Sequence, residues 1–206
     1  MSGRSWMAPL TGIVFVVLLI VGFAIGSEPP DPTEDSVQEV VDFYVDNEGQ
    51  VFGGAVLQTI AAAFLIFFGG CLARRLTAAG ARASAAVTFA GTIAIAIGIA
   101  IDGSISVALA EGGEEVDPGT IETLSLLWHN DFLPLALGMF VFLIGFGTAI
   151  VRYGVLPKWM GWVAIVAGLT AISPAFFVAA IVAALLVIAS SVMLAREEKA
   201  GAATPS

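Results

Sequence analysis

Hydrophobic positions along this chain come in long blocks, and polar ones collect in the gaps between them. Six apolar blocks stand out, at about 10–26, 51–72, 85–110, 132–151, 157–172 and 174–195. Most approach or exceed the roughly 20 residues that an α-helix needs to cross about 30 Å of bilayer hydrocarbon. In the third block, "IAIAIGIAIDGSISVALA" (93–110) alternates Ile with Ala or Gly, which is the period of a strand. Length decides against a strand, because an apolar run this long between a basic and an acidic gap is a membrane helix. Wound into a helix, Ala86, Ala90, Ala94, Gly98, Asp102, Ser106 and Ala110 form one row of small or polar side chains at spacing four. Thr92, Ala96, Ala100, Ser104 and Ala108 form a second row. Small residues let helices approach closely in membranes, so this helix is expected to pack on two sides and to lie centrally, with Asp102 facing protein. The fifth block is short, about 24 Å as a helix. Fused with the sixth it would make a helix of roughly 58 Å, far longer than a bilayer requires. Ser173-Pro174 supplies a break, with Ser as N-cap and Pro at the first helical position, and predicts a helical hairpin.

Two of the polar gaps carry helical patterns of their own. In 27–50, "SVQEVVDFYVDNEGQV" opens with Ser36 and Glu39 at capping-box spacing. Val37, Val40, Val41, Tyr44 and Val45 then recur at helical intervals, with acids on the other face. In 111–131, a turn is expected at Asp117-Pro118-Gly119, followed by Ile121, Leu124 and Trp128 on one helical face. Both segments read as short amphipathic helices over the bundle's outer mouth or on lipid headgroups, covering helix ends or serving as a lid or partner surface.

Composition agrees: the chain has 206 residues, of which 58% are hydrophobic and 12% charged. A soluble domain cannot hide that much apolar surface. Charge then orients the spans. With six crossings, all eight bases fall on one side: Arg4, Arg74, Arg75, Arg82, Arg152, Lys158, Arg196 and Lys199. The opposite gaps carry Glu28, Asp31, Glu34, Asp35, Glu39, Asp42, Asp46 and Glu48, then Glu111, Glu114, Glu115, Asp117, Glu122 and Asp131, with no Lys or Arg. Lys and Arg mark the cytoplasmic side, so both termini are expected there. "RYGVLPKWMGW" (152–162) mixes bases with Tyr153, Trp159 and Trp162, as an inner-interface anchor does. Two readings of the first block stand. The length from Pro9 to Gly26 favours a retained span, and Ala24-Ile25-Gly26 ahead of Ser27 is a passable signal-peptide cleavage site.

Chemistry-bearing residues are few. One cysteine, Cys71, excludes an internal disulfide or a Cys-rich zinc site. One histidine, His129, excludes HExxH chemistry and bis-histidine haem ligation. Neither lysine lies in an apolar block's interior, no GxSxG, Walker or Rossmann pattern occurs, and so few bases among so many acids rule out a nucleic-acid partner. No cofactor, metal or small-molecule ligand is identifiable. Asp102 is the exception within the spans, because a charged carboxylate in hydrocarbon costs on the order of several kcal/mol unless it is protonated, paired or wetted. Gln58, Thr59, Ser104 and Ser106 sit at comparable outer depth, and with Asp102 they make a candidate intramembrane polar cluster. Its two readings are helix packing and a proton, cation or small-solute site. At the outer interface, His129 and Asp131 in "LWHND" make a second candidate, either a pH-sensitive group or a weak cation site, beside the plain reading of an interfacial side chain next to a helix cap.

The stretches "DFYVDNEGQV" (42–51), "RRL" (74–76), "LPKWMGWVAIVAGL" (156–169) and "SPAFF" (173–177) carry a resemblance to uncharacterised six-helix integral membrane proteins of bacteria, mainly actinobacteria. The resemblance implies a bacterial plasma membrane and transfers no catalytic residue. The expectation is thus a single all-α polytopic domain over 1–206: six transmembrane helices with two short amphipathic helices in the outer acidic loops. Its function is expected to be non-enzymatic, structural or accessory, with a small transporter or channel-like protein using Asp102 as the alternative. The partners expected are the lipid bilayer and a membrane protein or a second copy of the chain.

Overall fold

A computed structural model describes residues 5–112 and 116–203, and all regular structure among the described residues is helical. Arg4, Glu114 and Glu115 lie outside them. A 3-10 turn, Ser5–Leu10, leads into α1 (Thr11–Gly26). There follow α2 (Val37–Asp46), α3 (Glu48–Ala78), α4 (Arg82–Gly112), α5 (Pro118–Asn130), α6 (Leu133–Tyr153), α7 (Lys158–Thr170) and α8 (Phe176–Ala203). The chain is a polytopic helical membrane protein. Length and composition single out five candidate spans, in α1, α3, α4, α6 and α8. The fifth apolar block forms α7, whose 13 residues measure about 20 Å and fall short of that length criterion.

Most helices run past their apolar blocks, because nothing in the flanking sequence breaks them until a glycine does. α3 closes at Gly80 (φ +91°) and α6 at Gly154 (φ +68°), left-handed positions that glycine adopts without a Cβ penalty. The Gly154 N–H donates to the Ile150 carbonyl. The expected hairpin between α7 and α8 is present, in a different form. The Ser173 hydroxyl donates to the Thr170 carbonyl (2.7 Å) and accepts from the Ala175 N–H (3.2 Å), and α8 starts only at Phe176. The turn expected at 117–119 is instead the first turn of α5: Asp117 caps it, accepting from the Gly119 N–H, with Pro118 at the first position. The α2 capping box forms as read, with the Ser36 N–H donating to Glu39 Oε2 at 2.9 Å.

α4 is central, packed between α3 and α6. Its interfaces do not follow the spacing-four rows. Ala86 and Ala90 are exposed whereas Gly98 and Ala110 are buried, and Thr92 and Ala96 are buried whereas Ser104 and Ala108 are exposed. Four residues turn a helix by about 400°, so such a row slips about 40° per step and spirals from one environment to another. Burial follows mixed steps of three and four, through Ala85, Thr88, Thr92, Ile95, Ile99 and Gly103, with Gly91 and Gly98 on an adjoining line. There backbone meets backbone. A Cβ at Gly138 of α6 would lie 2.6 Å from the Ile95 amide nitrogen, and one at Gly54 of α3 would lie 2.8 Å from the Gly22 carbonyl oxygen of α1.

The helices gather into two ends. Gly12 of α1 lies against Phe68 of α3 and Ser191 of α8, while Gly22 lies against Gly54 and Gln58, so α1 and α3 are antiparallel. Arg75, near the end of α3, pairs with Glu198, near the end of α8, at 3.3 Å. The Phe132 and Phe176 rings, 5.7 Å apart, set the start of α8 beside the start of α6. One end therefore holds the α3–α4 and α6–α7 links and, among the described residues, Arg74, Arg75, Arg82, Arg152, Lys158, Arg196 and Lys199. The other end carries α2 and α5, docked on each other and on α4 as a cap. Val40, Tyr44, Val51, Leu109, Ala110 and Ile121 form a second small core beneath them, separate from the main one in the bundle.

Candidate functional site

The polar residues proposed around Asp102 do not form one cluster. Gln58 is buried but turned to α1, where its side chain fills the space opposite Gly22. Thr59 faces Gly103 and donates to the Ala55 carbonyl at 2.9 Å. Ser104 donates to the Ala100 carbonyl and Ser106 to that of Asp102. Each hydroxyl is satisfied by its own helix, as is usual for Ser and Thr in apolar helices. No hydrogen bond joins the Asp102 carboxyl to Gln58, Thr59, Ser104 or Ser106 among the described residues.

Asp102 lies one helical turn beyond Gly98, whose open face meets Leu135 of α6. It is partly buried and comes within electrostatic reach of Asp131, in the α5–α6 link, and of Tyr44, on α2. The cap assembles the rest of this site. Ser36 and Glu39 start α2 in the register that turns Val40 and Tyr44 inward, and Tyr44 is only 2% exposed. On α5, Ser125 and Trp128 stand one turn apart, with Asp131 three residues further on just past the helix end. The Ser125 residue is 2% exposed, and its hydroxyl faces the Tyr44 phenol. Three buried polar atoms here have no hydrogen-bond partner: Ser125 Oγ, Trp128 Nε1 and Asp131 Oδ2. Such groups are uncommon in folded proteins, since each costs roughly 1–3 kcal/mol of lost hydration.

The expected pairing of His129 with Asp131 splits. His129 Nε2 is 3.9 Å from Asp31 Oδ2, in the link between α1 and α2, while Asp131 turns inward. Hydrogen bonds from the Thr33 hydroxyl (2.7 Å) and N–H (2.8 Å) to Asp31 hold that carboxyl below its usual range, with a smaller contribution from His129. This contact ties the end of α5 to the α1–α2 link.

Residues 10–197 match a domain of unknown function, DUF4386. The chain belongs to this family. No curated protein and no solved structure matches it. The DUF4386 match takes in α1 and most of α8, and with them every residue of the cap and of the site beneath it.

Chemically, the site in this DUF4386 protein offers two carboxylates, three donors (Tyr44, Ser125, Trp128) and no base. Among the described residues no three His, Cys, Asp or Glu side chains come together as a metal-holding group. The apolar stripes in the sequence include Tyr44 and Trp128, and their pattern does not mark Ser125. The available signal was the spacing of Ser125, Trp128 and Asp131, which puts three polar tips on one side of α5.

Proposed function

We propose that this chain is a non-enzymatic accessory protein of the bacterial plasma membrane, working through the helical cap on its outer face. It crosses the membrane six times, with α7 and the turn at 171–175 completing the fifth crossing and both termini in the cytoplasm. The Phe132–Phe176 and Arg75–Glu198 contacts at opposite ends support the sixth crossing, since α8 begins at one end of the bundle and finishes at the other. Clustering of the described Lys and Arg residues at one end supports the orientation. Exposed Tyr153, Trp159 and Trp162 at that same end fit an interfacial belt. Partners beyond the lipid are a membrane protein or a second copy, met at the cap or along a helix face.

The observation that carries an accessory role over a transporting one is where unspent polar capacity lies. Inside the bundle, hydroxyls donate to their own helices and helices meet backbone to backbone, whereas the orphaned polar atoms at the capped end lie together beneath the cap. A closely packed interior with an elaborated outer face suits recognition better than passage.

Single cysteines in a Cys71→Ser background test this in intact cells with a membrane-impermeant maleimide. Glu34→Cys should label from outside, Lys158→Cys only after permeabilisation, and Thr92→Cys, fully buried a third of the way along α4, under neither condition. Labelling of Thr92→Cys in the folded protein would reveal a water-filled path and move the chain to the transporter class. Reversed labelling at 34 and 158 would invert the topology.

A further inference from the structure

We propose that the space beneath the outer cap is a binding site for one small monovalent alkali cation, held between Asp102 and Asp131 with the Tyr44 and Ser125 hydroxyl oxygens as neutral ligands.

The charge balance comes first. Asp102 and Asp131 approach from different elements, α4 and the α5–α6 link, and lie within electrostatic reach of each other. The described Lys and Arg residues lie at the far end of the bundle, and His129, the one histidine, turns to Asp31. The elements packed around the pair add no positive charge: α2 presents Tyr44 and Val40, α3 presents Val51, α6 presents Leu135, and α5 presents Ser125 and Trp128. Two carboxylates taken partly out of water need a proton, water or a cation, and this chain supplies no base to pair with them.

The second observation is independent of the acids. Ser125 is 98% buried by its 2% exposure, and its Oγ has no partner. A hydroxyl oxygen keeps two lone pairs free to ligate a hard cation, and Tyr44, which it faces, offers the same. The donor set is then all oxygen, the preference of alkali and alkaline-earth ions and not of soft metals. Only two carboxylates contribute, and no third acid, His or Cys joins them among the described residues. A calcium site collects six to eight oxygens, so this sparse set suits a single charge. Outside the cap, Glu34, Asp35, Asp42 and Asp46 create a negative field that concentrates cations at its edge.

This inference deepens the cap-based reading and rests on it in one respect, that α2 and α5 stay docked over α4. Trp128, one turn along α5 from Ser125 and with its Nε1 buried, is the reporter. Full-length protein in lipid nanodiscs, with Trp6, Trp159 and Trp162 changed to Phe, is titrated with NaCl or KCl against choline chloride at constant ionic strength. The expected result is a saturable, alkali-specific change in Trp128 emission with a rise in Tm. Asp102→Asn and Asp131→Asn should each weaken the apparent affinity at least tenfold, and Ser104→Ala should leave it unchanged. Emission that follows pH alone, or that responds only to calcium or magnesium, overturns the proposal. Should the Asn variants fail to fold, competition in the parent protein decides: added alkali cation must lower the midpoint pH of the Trp128 emission change, and an unmoved midpoint refutes the site. Docking is checked separately by Ile121→Cys in the Cys71→Ser background. Protection of that thiol with no cation response sinks the cation site alone, whereas free labelling of the native protein sinks the cap reading as well.

Discussion

Replacing Gly91 by alanine adds one methyl group where α4 crosses α6, and its effect can be worked from the contact geometry. That methyl would overlap the Phe142 amide nitrogen, lie 2.6 Å from the Phe142 Cα and 2.9 Å from its Cβ. Ordinary contact begins at 3.4 Å, so the two backbones must part by about 0.8 Å or more. Neither helix can yield locally, because the atoms met include backbone and not merely the far end of a flexible side chain. The same seam contains Gly138 against Ile95 and Gly145 against Thr88, so an opening at Gly91 loosens all three approaches. A gap of 0.5–1 Å forfeits roughly a quarter to a half of each contact's attraction. Over a few tens of atom pairs, at about 0.1–0.2 kcal/mol each, that amounts to about 1–3 kcal/mol. This agrees with the usual cost of overpacking a well-filled core, about 1–3 kcal/mol. Gly53→Ala is the matched control: nothing lies within 4 Å of its added Cβ, and alanine is the better helix former. Reversible unfolding in mixed micelles, titrated with SDS and followed by far-UV circular dichroism, measures both. Gly91→Ala should lose about 1–3 kcal/mol while Gly53→Ala stays level or gains up to about 1 kcal/mol. If Gly91→Ala matches the parent within about 0.5 kcal/mol, the α4–α6 approach is not as close as described.

Three further outcomes are expected. Ser36→Ala removes the α2 cap and should cost about 1 kcal/mol locally, read as faster amide hydrogen exchange at residues 37–40 with the bundle helices unaffected. Glu198→Gln breaks the ion pair with Arg75, whose Nε is already buried without a partner; a loss of about 1–2 kcal/mol is expected, and Arg75→Gln in addition should restore part of it in a double-mutant cycle. Asp31 has a folded pKa held below the ordinary 3.8, so its contribution is complete above that value and is lost as pH falls through the lower folded one. The amide resonance of residue 33, whose N–H donates to Asp31, should therefore shift towards the acid end of a pH 2–5 NMR series, and Thr33→Val, which removes the second hydrogen bond to Asp31, should move that shift to higher pH.

The membrane class, the helix positions, the α2 capping box and the break near Ser173-Pro174 were legible because each depends on local pattern. Apolar length and cap chemistry are properties of a contiguous stretch. The central place of α4 was legible too, from its many small residues. What was not legible was which small residues met which neighbour. A spacing of four looks like a stripe on paper, yet it rotates about 40° per step, so Ala86 and Ala110 share a row and not an environment. Depth alone groups Asp102 with Gln58 and Thr59, whereas Gln58 turns to α1 and the electrostatic neighbours of Asp102 are Asp131 and Tyr44 at the capped end. Depth along a span can be counted from sequence; azimuth depends on the partners.

The same distinction explains why the site under the cap escaped a linear reading. Tyr44 and Trp128 belong to two gaps separated by two long helices, α3 and α4, and each alone completes an apolar stripe. Only when α2 and α5 dock does the Tyr44 phenol come to face the Ser125 hydroxyl, on the same side of α5 as Trp128 and Asp131 and within electrostatic reach of Asp102. That convergence has a cost, since orphaned polar atoms and facing acids both oppose folding. Within the bundle the hydroxyls are spent on their own helices and the glycines on close backbone contact, and the orphaned atoms at its other end, Arg75 Nε and Glu198 Oε2, belong to an ion pair. A cap needed only to cover helix ends would be more stable with Val at Ser125 and Phe at Trp128, each a change towards the apolar core already there. Polar tips held beneath an otherwise apolar lid are therefore the feature most in want of a functional reason, and a bound cation supplies one.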